Sequence, residues 1–192
     1  MRLARLFPFV VLLVPVVAQP NSPSADEYFS RSQERLVSIG RPPEANPSKS
    51  CLAYVQDAFD TPSIAQAIAS DRWKEMGVRH RDLLAAAIAV RLARECVSLL
   101  SRADPAQARL ARMRELPGAV RLTVTYRDAE GQEGLLAWTV RPGGALGWTA
   151  LDLTVDGRGM QAMFGTDFAG ALIATGGDLE SAVEHFARMI MR

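Results

Sequence analysis

The chain has 192 residues, with 22 basic against 21 acidic side chains and a formal net charge of +1. So even a balance leaves no electrostatic footprint for nucleic acid. The length is enough for one substantial hydrophobic core.

Arg2 and Arg5 precede an apolar run from Leu6 to Ala18, and the polar residues Gln19, Asn21 and Ser22 follow. This is the pattern of a secretory signal peptide. The run is 13 residues long and contains Pro8 and Pro15, whereas a helix that spans a bilayer needs about 20. Export with cleavage after Ala18 is therefore expected, and no cysteine stands there to carry a lipid anchor. Cleavage removes two arginines and no acid, leaving 20 basic against 21 acidic residues, a net charge of −1. The predicted organisation is a signal peptide over 1–18, a disordered leader over 19–25 and a single domain over 26–192. Cys51 and Cys96 both lie in the exported part, where an oxidising compartment favours a disulfide. Such a bridge restricts the unfolded chain by about 4 kcal/mol in the entropy model. The alternative is two buried thiols that never meet.

A first helix is expected from Asp26 to Ile39, ending at Gly40 before the non-helical Pro42-Pro43 segment. A second begins near Pro47-Ser48, with Leu52, Val55 and Phe59 at helical spacing. Asp60 or Thr61 then caps a third, with Pro62 at its first position and Ile64, Ala65 and Ile68 on its apolar side. The most apolar helix of the exported chain runs from about His80 to Ser101 and should be buried on several sides. Ala103-Asp104-Pro105 opens a further helix or turn reaching about Glu115, with a strand over 109–116 as the alternative.

From Ala119 the period changes to two: Val120, Leu122, Val124 and Tyr126 alternate with Arg121, Thr123, Thr125 and Arg127. Turns at Asp128–Gly131 and Pro142–Gly144 separate this strand from two more, Gly134–Arg141 and Leu146–Val155. A meander of antiparallel strands follows from that order. Asp156-Gly157 ends the sheet, and Met160, Met163, Phe164 and Phe168 resume a helical pattern, with a new helix start expected at Thr166 or Asp167. The last helix is clear: Leu179, Ala182, Val183, Phe186, Ala187 and Ile190 share one face, with Asp178 as N-cap. The predicted fold is α+β, with N-terminal helices packed on a small, highly curved antiparallel sheet of three to four strands, followed by C-terminal helices.

Catalytic material is thin. His80 and His185 read as solvated surface residues, and Cys51, His80, Cys96 and His185 match no zinc spacing. No nucleophile elbow, phosphate loop or dinucleotide fingerprint occurs. Asp152 and Asp156 are a candidate carboxylate pair, but four residues of extended strand put them about 13 Å apart. Asp156 reads more simply as a turn former with Gly157. No enzyme, cofactor or metal site is therefore expected.

The run Trp148, Asp152-Leu153-Thr154-Val155-Asp156-Gly157, then Phe164, Phe168, Gly176-Gly177 and Leu179, resembles the C-terminal signature of the MlaC family. These are toluene-tolerance-type periplasmic phospholipid-binding proteins, with hopanoid-associated relatives. Upstream, Phe59-Asp60, Ile64-Ala65, Trp73, Arg81 and Leu84 are similar to the block before that family's central helix. The chain departs from it at Ala69-Ser70-Asp71-Arg72 before the tryptophan, and at Gly159 and Gly165, where the family carries serine and arginine. The resemblance spans about residues 50–190. It implies a periplasmic carrier that holds phospholipid or hopanoid-type tails between sheet and helices. It also implies transient docking on an inner-membrane lipid transporter and on an outer-membrane lipoprotein and porin complex.

The residues themselves are compatible with that reading. Exposing two acyl tails to water costs about 20 kcal/mol or more, at roughly 0.8 kcal/mol per methylene, and only a dry apolar cavity offsets it. The candidate lining is Leu122, Val124, Leu136, Trp138, Leu151 and Leu153 on the meander, Leu84 and Ile88 on the apolar helix, and Met160, Met163, Phe164 and Phe168 beyond the sheet. Methionine suits tails of mixed length because it adapts its shape. The alternatives are a secreted protein-binding domain whose core is filled by these same side chains, or a small hydrolase or isomerase with Asp152 as base.

Overall fold

The computed structural model describes residues 24–41 and 46–191. The expected signal peptide, and the leader as far as Pro23, lie outside the described residues. The described residues fold as six α-helices and one five-stranded antiparallel sheet, in the order α1 (Ala25–Gly40), α2 (Pro47–Ala58), α3 (Thr61–Ala69), α4 (Val78–Leu100), β1 (Arg109–Leu116), β2 (Ala119–Arg127), β3 (Glu133–Pro142), β4 (Trp148–Val155), β5 (Arg158–Gly159), α5 (Met160–Ala174) and α6 (Leu179–Ile190). This is the expected α+β arrangement. Among the described residues no helix is long and apolar enough to cross a membrane.

Local chemistry sets the helix starts. The Ser24 N–H donates to Glu27 Oε2 at 3.2 Å ahead of α1, so the helix begins at Ala25, one residue inside the expected leader. Asn46 accepts from the Lys49 N–H, Asp60 from Ser63 and Asp178 from Ser181. Each is a side-chain N-cap that satisfies an orphan donor.

Helix α4 is the centre of the helical layer and packs against α2, α3 and α6. Leu84, Ala87 and Ile88 are fully buried along it. The Cys51–Cys96 disulfide is formed and ties α2 to α4 at a Cα separation of 5.9 Å.

The strands pair with their sequence neighbours in the order β1-β2-β3-β4-β5. That is one or two strands more than expected. The segment after Ala108 is a strand and not a helix: Asp104 caps a single 3₁₀ turn over Pro105–Gln107, and β1 follows. β1 is the outer edge of the sheet and exposes all its residues but Leu110 and Leu116. Its arginines blunt that edge and erase the alternation by which strands are read. At the other edge, Asp156 and Gly157 adopt φ of 47° and 82°. Two successive left-handed residues form the tight turn that right-twisted hairpins favour, so the chain doubles back into β5 before leaving the sheet. α5 runs unbroken through Thr166, because its hydroxyl donates to the Ala162 carbonyl at 3.1 Å and is not used as a cap.

Candidate functional site

The register of the sheet makes one apolar face. Leu122 pairs with Trp138, Val124 with Leu136 and Tyr126 with Gly134 across β2 and β3, and Trp138 pairs with Leu153 of β4. These positions face the helices. α1 presents Phe29 and Leu36 to this face, α2 presents Tyr54 and Val55, and the C-terminal half of α4 presents Leu92, Cys96 and Leu99. Between the layers lies a cavity of about 80 Å³ whose wall is almost wholly apolar, with Val124, Leu136, Trp138 and Leu153 as its sheet side. Phe29 and Trp138 approach each other with ring centroids 6.2 Å apart.

Four of the twelve expected lining residues therefore meet around this space: Val124, Leu136, Trp138 and Leu153. Leu122 is fully buried on the same face without reaching the cavity. Leu84 and Ile88 are fully buried on α4 but lie one to two turns before its cavity-lining stretch. Met160, Phe164 and Phe168 are buried outside the cavity, and the two phenylalanines stack edge-on against Phe186 of α6. Met163 is 43% exposed.

Leu151 points away from the cavity, and the cause is a β-bulge. Thr139 pairs with Asp152 while Val140 pairs with Ala150, leaving Leu151 without a partner opposite. The extra residue reverses the alternation, and Leu151 lines a shallow outer groove with Ser63, Arg141 and Gln161. Among the lining residues not anticipated, two sets lie at helical spacing, Phe29, Gln33 and Leu36 on α1 and Leu92, Cys96 and Leu99 on α4. Steps of three and four carried that signal.

The rim of the cavity is held by polar contacts. The Gln33 side-chain amide donates to the carbonyls of Pro105 (2.8 Å) and Ala108 (2.9 Å), clamping α1 to the segment that leads into β1. Tyr126 lies across the end of the sheet over Gly134, where a Cβ would sit 2.3 Å from the ring, so only glycine admits this ring position. Its hydroxyl donates to Asp156 Oδ2 at 3.1 Å, while Asp156 Oδ1 accepts the Leu135 N–H at 2.9 Å. Burial and then the neighbouring Asp156 carboxylate raise the Tyr126 pKa above its ordinary value. Deeper in, burial pushes the Tyr54 phenol up to about 12. The Ser32 and Tyr54 hydroxyls are buried without a partner at bonding geometry.

Asp152 and Asp156 form no pair. Asp152 accepts the Gln161 N–H at the start of α5 at 3.0 Å, Asp156 closes its turn, and the two serve separate contacts. Burial raises the Asp152 pKa, against the Gln161 and Leu153 N–H groups. His80, expected in solvent, is 8% exposed, with Nδ1 3.6 Å from Glu180 Oε1 where α4 meets α6. His185 is exposed, as expected. Among the described residues no group of His, Cys, Asp or Glu is placed to hold a metal ion.

No protein-family model matches the sequence, and no curated protein does. The fold has a solved counterpart. A phospholipid-binding protein from Ralstonia solanacearum, determined in complex with a phospholipid, superposes with a TM-score of 0.68 over 88% of this chain and 100% of its own. The two sequences are 13% identical. At that identity the likeness establishes the fold: helices over a meander whose inner face is apolar.

Proposed function

We propose that the protein is a periplasmic lipid carrier of the MlaC type, which takes phospholipid tails into the apolar space between α1, α2, α4 and the sheet. The observation that carries this reading is the cavity itself, an almost wholly apolar space between helices and sheet in a fold shared with a phospholipid-binding protein. The signal-peptide pattern over residues 1–18 and the formed disulfide support export to an oxidising compartment. Docking on membrane complexes at either end of the route is part of the same proposal and rests on the resemblance alone.

The cavity volume sets a condition. A cavity of about 150 Å³ accommodates one benzene, so about 80 Å³ receives only a short stretch of an acyl chain. Loading a tail requires the walls to part, and the Gln33 clamp and the Tyr126 cover are the contacts at the rim that must yield. Release then returns the tail to an equally apolar bilayer, so the carrier needs no chemical step.

The tightness of this space equally favours a second reading, an exported domain of the same fold that binds a protein partner and keeps a filled core. Native mass spectrometry of protein purified from the periplasm separates the two. The carrier is expected to retain phospholipid. Protein that is consistently empty, and takes up none from vesicles, overturns it in favour of the partner-binding domain.

A further inference from the structure

The mouth of the apolar cavity opens beside a second, polar groove of about 590 Å³, and the two share Leu100, Ala103, Asp104 and Pro105. Three arginines line this groove: Arg41 just past α1, Arg102 just past α4 and Arg127 at the end of β2. Backbone contacts bring the last two together. Ala103 and Asp128 form an antiparallel bridge, and the Ala129 N–H donates to the Arg102 carbonyl at 2.7 Å. The α4 end and the β2–β3 turn are thereby joined into one wall.

Among the described residues none of the three arginines forms an ion pair. Arg102 donates only through Nε, to the Ser98 carbonyl at 3.1 Å. The two carboxylates of the groove are engaged with backbone instead: Asp104 Oδ1 accepts the Ala106 N–H at 2.9 Å, and Asp128 Oδ1 the Gln132 N–H at 2.7 Å. Guanidinium groups that lack a carboxylate partner are suited to bidentate hydrogen bonding of a phosphate. Here they stand where a molecule whose tails fill the cavity would carry its head.

We propose that Arg102 and Arg127, with Arg41 across the groove, hold the phosphate of the carried lipid, so that the protein selects phospholipids over uncharged lipids with the same tails. This rests on the carrier reading and adds to it a chemical class of headgroup. The test uses the full exported chain, stripped of lipid and offered dioleoyl phosphatidylglycerol and dioleoylglycerol in competition, with occupancy read by native mass spectrometry. Wild-type protein is expected to favour the phospholipid by roughly tenfold. The double variant Arg102→Gln/Arg127→Gln should bring the ratio close to one, and Arg41→Gln, at an exposed helix end, should lower it part of the way.

A wild-type ratio near one, or a ratio that survives the double variant, overturns the headgroup site while leaving the carrier intact. Uptake of neither lipid overturns both. Inorganic phosphate is the control for the other source of the same chemistry: binding of free phosphate that the double variant abolishes, without any preference between the two lipids, assigns the arginines to phosphate itself and overturns the lipid assignment.

Discussion

The two ends of the helical layer use the same kinds of side chain and reach different packing. Where α5 meets α6, Phe186 receives Phe164 and Phe168 edge-on at centroid distances of 6.5 and 5.8 Å, and all three rings are at most 2% exposed. Where α1, α2 and α4 cover the sheet, Phe29 and Trp138 also touch, yet a space remains beside them. Helices can interdigitate with other helices, whereas a twisted and bulged sheet bends away from the straight helix that lies over it. The solid end is therefore held by packing. The hollow end is held by the disulfide, the Gln33 clamp and the Tyr126–Asp156 hydrogen bond.

Breaking the solid end should cost most. Phe186→Ala removes a fully buried ring with two aromatic partners, and a loss of about 3–5 kcal/mol is expected. Urea denaturation measures it. A loss below about 1 kcal/mol would mean that this end is no better packed than the other.

The matching experiment on the hollow end removes its covalent staple. Cys96 lines the cavity, and its partner Cys51 lies 45 residues away. Cys51→Ser/Cys96→Ser should lose about 4 kcal/mol by release of the closed loop. The comparison is sharpened by hydrogen exchange: amides of α2 and the C-terminal half of α4 should lose protection, while those of α5 and α6 keep theirs. Equal loss at both ends would show that the domain responds as one unit.

This division also explains what was legible in the sequence. Helices with strong caps were readable: Asp60 and Asp178 cap where their positions ahead of apolar runs placed them. The alternation of β2 and β3 was readable because one face of each is buried. β1 was obscured by its edge position, since nothing forces an exposed strand to alternate. The candidate lining was read from apolarity, a property shared by the solid end and the hollow one, and so Phe164, Phe168 and Met160 entered with Val124 and Trp138. Leu151 failed for a different reason, because a single-residue bulge inverts a face without any mark in composition. The α1 wall of Phe29, Gln33 and Leu36 formed no part of the candidate lining, because a stripe interrupted by a polar residue does not stand out by apolarity, and here that residue clamps the rim.

Asp60 joins the two ends. It caps α3, pairs with Arg141 on β3, and its own N–H donates to the Ala150 carbonyl on β4 at 2.9 Å. Burial alone would raise its pKa, but the Ser63 N–H and hydroxyl and then the Arg141 guanidinium outweigh burial and lower it. A carboxylate lowered in the folded state stabilises above its unfolded pKa, and the contribution is lost as the pH falls through the folded value. Asp60→Ala should therefore cost about 1–2 kcal/mol at neutral pH. The difference from wild type should shrink steadily in acid, below the ordinary aspartate range. A difference that holds constant into acid would mean that the cap geometry matters and the charge does not.

The smallest effect concerns the interior of the hollow end. Tyr54 contributes its ring to the cavity wall, and its hydroxyl is buried with no partner at bonding geometry. An unmade hydrogen bond of that kind penalises the folded state, so Tyr54→Phe should be neutral or stabilising by up to about 1 kcal/mol. With the phenol at about 12, the tyrosine stays uncharged at every pH at which the protein is handled, and the effect should not vary with pH between acid and neutral. A loss of about 1 kcal/mol or more would require the hydroxyl to have a partner in solution, either the Ser32 hydroxyl beside it or a water held against the wall. The substitution thus reports whether this buried phenol is hydrogen-bonded within the wall of the space between helices and sheet, where an unmet polar group counts against the folded state.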